Sequence, residues 1–191
     1  QKNQAQQYLD KLLKLQQPDG GFTWFDGMPS SRYITQEILL NFARLSKLTN
    51  ADLLAAYRLP LTAALNYLDL EISRDFAELK KYNKNYQKEN CVGNNQLFYL
   101  HARSEYPEIP VAEVAKEAVK YYTLQSEKYW TTFTLYGKAM MAVVAHRNGK
   151  TKIAADILKS LKENALKTDE FGMYWAKNTA GYFWNERPVA V

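Results

Sequence analysis

Five carboxylates stand in glycine- and aromatic-rich stretches of this 191-residue chain: Asp19, Asp26, Asp169, Glu170 and Glu186. Beside them lie Phe22, Trp24, Phe25, Phe171, Trp175 and Trp184. Paired carboxylates next to tryptophan platforms are the equipment of carbohydrate-active enzymes, where one acid protonates the leaving oxygen and the other serves as base or nucleophile. The same residues also read as scaffolding. An Asp directly before Gly accepts main-chain N–H bonds and organises a turn, and the rings next to it can close the end of a helical hairpin. Asp-Gly turns are a common structural device, so the scaffold is the stronger reading.

Other chemistry finds less support. Cys91, His101 and His146 are the soft or imidazole candidates for a metal. Glu89-Asn90-Cys91 followed by His101 faintly echoes a carboxylate–Cys–His zinc site. A zinc site needs three or four ligands on a fixed frame, and no CxxC, HxxxH or HExxH spacing supplies them. With no GxSxG elbow, there is no nucleophilic triad to propose. Cys91 lies near an expected helix start, where the dipole could lower a thiol pKa; a small buried side chain is the plainer account. Gly20-Gly21 alone is neither a P-loop nor a dinucleotide fingerprint. No metal and no cofactor are expected.

These residues need elements to hold them. A chain of this length with 47% hydrophobic residues can bury a core as one domain. Apolar spacing predicts helices over about 3–17, 31–48, 52–58, 60–79, 94–103, 110–122, 131–147 and 152–166. Ile34, Ile38, Phe42 and Leu45 form one stripe; Leu61, Leu65, Leu68, Ile72, Phe76 and Leu79 form a longer one. No segment alternates apolar and polar residues for long, and β-branched residues are sparse, so the expected class is all-α. Ala139, Ala142, Ala154 and Ala155 are small enough to let helix axes approach.

The aromatic share is 14%, with 14 Tyr. Tyr joins an apolar body to a polar tip, which suits wet interhelical seams or a binding groove. The net charge of +5 comes from scattered Lys and Arg with no block of like charge, so nucleic acid is not an expected partner. One cysteine excludes an internal disulfide. No apolar run is long enough to span a bilayer. Both ends look cut from something larger: the first residues lie inside a helical pattern, and Pro188 has the character of a helix start.

The helix containing Leu12, Leu13 and Leu15 runs into Pro18-Asp19-Gly20-Gly21 and then Phe22, Trp24 and Phe25. A looser version recurs: Ile157, Leu158 and Leu161, then Asp169-Glu170-Phe171-Gly172-Met173-Tyr174-Trp175. A helix, a glycine bend and an aromatic plug used twice point to helical hairpins arranged as repeats. The structural turn-and-plug residues are therefore Asp19, Gly20, Gly21, Phe22, Trp24, Phe25, Gly172, Tyr174, Trp175 and Trp184.

The chain Leu12–Gln16, Pro18–Phe25 and Tyr33-Ile34-Thr35-Gln36 resembles the thioester-type helical domain of bacterial alpha-2-macroglobulin-like proteins. Trp130, Leu135–Ala139, Ala155–Glu163, Gly172–Trp175 and Gly181–Trp184 follow in the order of that family. The resemblance implies an α/α toroid of helical hairpins, here incomplete, within residues 1–191 as a single helical domain of a larger multidomain protein. It implies a non-catalytic role in a secreted, cell-surface or periplasmic bacterial endopeptidase inhibitor that traps proteases. Its partners would be sibling domains and, through the parent protein, the target proteases. Members that crosslink their targets carry a Cys-x-Glu-Gln thioester motif. Cys91 is followed by Val92, Gly93 and Asn94, so it does not map onto that cysteine. The competing expectations are a toroid enzyme acting on a polysaccharide or prenyl-type substrate, which needs opposed acids or a metal in a concave pocket, and a generic helical-repeat binding module, which needs an exposed Tyr-rich face.

Overall fold

The computed structural model describes residues 2–49 and 53–176. Among them are eight α-helices: α1 Lys2–Leu13, α2 Arg32–Thr49, α3 Leu53–Ala56, α4 Arg58–Tyr82, α5 Asn94–Arg103, α6 Lys116–Tyr129, α7 Leu135–Arg147 and α8 Thr151–Glu163. Short 3-10 turns at Glu113–Ala115 and Trp130–Thr132 lead into α6 and follow it. The class is all-α. The one departure among the described residues is a small antiparallel hairpin, β1 Leu166–Thr168 with β2 Gly172–Tyr174, in which Thr168 faces Gly172 and Leu166 faces Tyr174. Alternation over three residues is too short to stand out in a sequence, which is why this hairpin was not expected.

The chain divides into two compact units. The first comprises residues 1–89 and 105–121. Its long helix α4 tolerates Pro60 because the proline sits in the first turn, where its missing N–H has no intrahelical partner. Leu61, Leu65, Leu68, Ile72 and Phe76 recur at helical spacing and are all buried, against Leu39, Leu40, Phe42 and Ala43 of α2. Leu45, expected on the same stripe of α2, is 41% exposed. Two buried polar groups lock the returning segment 105–121 in place. The Asp69 carboxylate, fully buried, accepts from the Ala112 N–H at 2.8 Å. The buried Tyr106 hydroxyl donates to the Leu39 carbonyl.

The second unit comprises residues 90–104 and 122–191. Here α7 packs against both α5 and α8. Thr134 caps α7, its Oγ1 accepting from the Gly137 N–H at 3.1 Å. Gly137 permits the close α5–α7 contact: a Cβ there would stand 3.3 Å from Leu97 Cδ1. Gly149, at φ +73°, turns the chain from α7 into α8, and Lys150 N–H closes on the Ala145 carbonyl at 2.8 Å. Ala142, Ala145 and Ala154 are buried, whereas Ala155 faces solvent instead of the interhelical seam.

Candidate functional site

The turn between α1 and α2 is densely hydrogen-bonded. Helix α1 was expected to continue to about residue 17; it stops at Leu13 because the main chain of residues 15–17 is taken up differently. Gln17 N–H donates to the Gly21 carbonyl at 2.8 Å and Thr23 N–H to the Leu15 carbonyl at 3.3 Å, an antiparallel bridge that pairs Gln16 with Phe22. Pro18 presets the turn, and Gly20 N–H closes it on the Gln17 carbonyl at 2.9 Å.

Asp19 is the organiser. Its Oδ1 accepts from the Gly21 N–H at 2.9 Å and from Ser30 Oγ at 2.6 Å. The Gln16 amide Nε2 donates both to the Gly20 carbonyl at 2.9 Å and to the Pro60 carbonyl at 2.8 Å, so the turn is tied to the start of α4. Gly20, at φ +90°, lies so close to α4 that a Cβ would sit 2.3 Å from the Ala63 carbonyl oxygen. A Cβ on Gly21 would meet Ser30 Cβ at 2.6 Å. Both glycines are therefore required by close approach, and Gly20 by its backbone angle as well.

The aromatic wedge is smaller than the sequence implied. Phe22 is fully buried, with its N–H held by Thr35 Oγ1 at 2.8 Å and its carbonyl accepting from Ser31 N–H at 2.7 Å. Trp24 is 44% and Phe25 70% exposed, so neither is a plug. Trp24 instead stacks on Tyr33, ring centroids 6.1 Å apart and planes 12° from parallel. Phe22 and Thr23 are both buried and the next two side chains turn outward, so of the three rings in this loop it is Phe22 that enters the core.

The second copy of the pattern is different in kind. Asp169 and Glu170 form the exposed loop of the β1–β2 hairpin, and Gly172, at φ +67°, supplies the left-handed residue that a three-residue hairpin loop uses. Phe171 is 70% exposed and packs edge-on to Tyr174. Trp175 is half-buried, and its indole N–H donates to the Leu161 carbonyl of α8 at 2.8 Å. Trp184 and Glu186 lie outside the described residues.

The acids thus divide rather than converge. Asp19 is engaged in its turn, while Asp26, Asp169 and Glu170 are exposed loop residues. Cys91 and His101 are half-buried and His146 is exposed; no group of three His, Cys, Asp or Glu side chains among the described residues is arranged to hold a metal ion.

Residues passed over by motif reasoning carry the remaining polar structure around this turn. Arg32, at the start of α2, pairs through Nη1 with Asp75 Oδ2 at 2.6 Å. Its Nε and Nη2, and Gln36 Oε1 one helical turn on, are buried without a hydrogen-bond partner among the described residues. Tyr67 is buried beside them, and its phenol pKa is pushed up to about 12, first by loss of hydration and then by the Glu71 and Asp19 carboxylates. Thr35 and Gln36 stand in the string Tyr33–Gln36, so their place beside the turn was signalled by order along the chain. Arg32 and Tyr67 carried no such signal. Comparison with family models, with curated proteins and with solved structures finds no match to this chain.

Proposed function

We propose that this chain is a non-catalytic helical-hairpin domain, part of an α/α toroid, in an alpha-2-macroglobulin-like protease-trapping protein of the bacterial periplasm or cell surface. Its work is mechanical: to present a rigid helical surface to sibling domains of the parent chain, which in turn meet the target protease. The resemblance along Leu12–Gln36 and Trp130–Trp175 supplies the family. The observation that carries the non-catalytic part is the Asp19 carboxylate. Asp19, one of the five loop acids weighed for proton transfer, spends Oδ1 on Gly21 N–H and Ser30 Oγ, as a turn organiser does.

A second reading, a helical-repeat binding module, has the exposed Trp24, Phe25 and Met28 in its favour, three large apolar side chains within five residues. Two measurements separate these from an enzyme on a similar scaffold. The purified chain, incubated with a panel of glycan polymers and prenyl-type substrates and weighed by native mass spectrometry, is expected to turn over none of them and to hold no stoichiometric zinc. The parent protein is expected to retain a protease in a complex that survives gel filtration after the protease has cut it. Sustained turnover by the chain refutes the non-catalytic reading, and a parent that releases every protease refutes the trap.

A further inference from the structure

Helices α2 and α4 of the first unit are joined by polar groups as well as by apolar ones. Arg32 of α2 reaches Asp75 of α4 through Nη1. A guanidinium is a rigid planar fork whose N–H groups point in fixed directions. The bond from Nη1 leaves the other edge of the fork, where Nε–H and an Nη2–H run parallel. Both of those nitrogens are buried, and neither has a hydrogen-bond partner among the described residues. Gln36 follows four positions later and so lies on the same face of α2. It is 1% exposed, and its Oε1 is buried and equally unpaired. Two parallel donors and one acceptor thus share a buried face of the helix.

Buried polar groups in folded proteins are paired, with protein or with ordered water, and a buried charged donor is the costliest group to leave unpaired. Charge decides what completes these three. Arg32 is already neutralised by Asp75, and the Asp19 and Glu71 carboxylates act on the Tyr67 phenol beside it. An anion would meet three carboxylates, and a cation would meet the guanidinium. Tyr67 adds no charge, because its phenol stays protonated through neutral pH. The occupant is therefore neutral, and it must accept from Arg32 while it donates to Gln36. A water oxygen accepts two hydrogen bonds and its hydrogens donate two, which matches the donors and the acceptor present.

We propose that Arg32 and Gln36 hold a buried water molecule, which accepts from the Nε–H and Nη2–H edge of the guanidinium and donates to Gln36 Oε1. The water completes the anchoring of the α2 start beside the Asp19 turn. The reading does not depend on the family or on protease trapping.

A high-resolution crystal structure of the whole chain tests it directly. The expected result is a well-ordered density peak about 2.7–3.2 Å from Arg32 Nε or Nη2 and from Gln36 Oε1. A direct Arg32–Gln36 hydrogen bond with no peak overturns the proposal, and so does a peak with the anomalous signal of chloride. In solution, oxygen-17 relaxation dispersion counts the long-lived waters of the protein. Gln36→Met removes the acceptor at similar length and is expected to lose one such water. Arg32→Lys keeps a cation for Asp75 without the parallel N–H edge and is expected to lose the same one. Circular dichroism establishes that each variant is folded, and an unchanged water count in either folded variant overturns the proposal.

Discussion

The α-carbon of Gly20 faces the Ala63 carbonyl so closely that a methyl group added there would stand 2.3 Å from the oxygen. The first loop and the fourth helix are thus fitted at a point where no side chain is admitted. Two costs combine on Gly20→Ala: the left-handed backbone at φ +90° and a collision with main chain that cannot rotate away. The substitution is expected to destabilise the protein by at least about 2 kcal/mol in urea unfolding. A midpoint within error of the parent shows that the loop relaxes away from α4.

Asp19 tests whether the turn is held by its carboxylate. Asp19→Ala removes the acceptor for Gly21 N–H and Ser30 Oγ and is expected to cost about 1–3 kcal/mol. Asp19→Asn keeps an oxygen acceptor and is expected to lose less than half as much. Equal losses in the two variants show that the charge, rather than the acceptor, is what the turn requires.

Phe22 and Trp24 separate a buried ring from an exposed one only two residues apart. Phe22→Ala opens a cavity in a fully buried position and is expected to cost about 3–5 kcal/mol. Trp24→Ala removes a ring that is 44% exposed and stacked on Tyr33, with an expected loss of about 1 kcal/mol or less. Thermal or denaturant unfolding of the two variants side by side decides it, and a larger loss for Trp24→Ala reverses the assignment of the plug.

The buried phenols set an alkaline limit. Tyr67 goes from the usual 10.0 to about 12, and burial raises Tyr106 beyond the ordinary phenol range. Above pH 10 the unfolded chain loses these protons while the folded chain keeps them, so folding is linked to proton retention and stability falls as pH rises. The loss is expected to run between about pH 10 and 12 and to be shallower in Tyr67→Phe. Midpoints of urea unfolding measured across that interval test the sign; a flat profile for the parent protein contradicts it.

Much of the architecture was legible from periodicity. The stripes of α4, the bounds of α5 and the α7–α8 pair follow from apolar residues repeating every three to four positions, a signal that each helix carries in its own sequence. The Asp-Gly-Gly turn was legible too, because proline and glycine restrict the backbone locally. Three things were not. Which ring in Phe22-Thr23-Trp24-Phe25 enters the core depends on where α2 and α4 lie, and a loop has no period from which to read it. The hairpin at Leu166–Tyr174 is held by pairing across a loop, which three residues of alternation do not announce. The partnership of Arg32 with Asp75, and of Gln16 with Pro60, joins residues more than forty positions apart. Local chemistry therefore determined the helices and the bend between the first two, since those depend on neighbours along the chain. Tertiary packing alone decided which ring is buried, which carboxylate Arg32 pairs with, and why Gly20 admits no side chain, because each of those is set by atoms that meet only when distant segments come together.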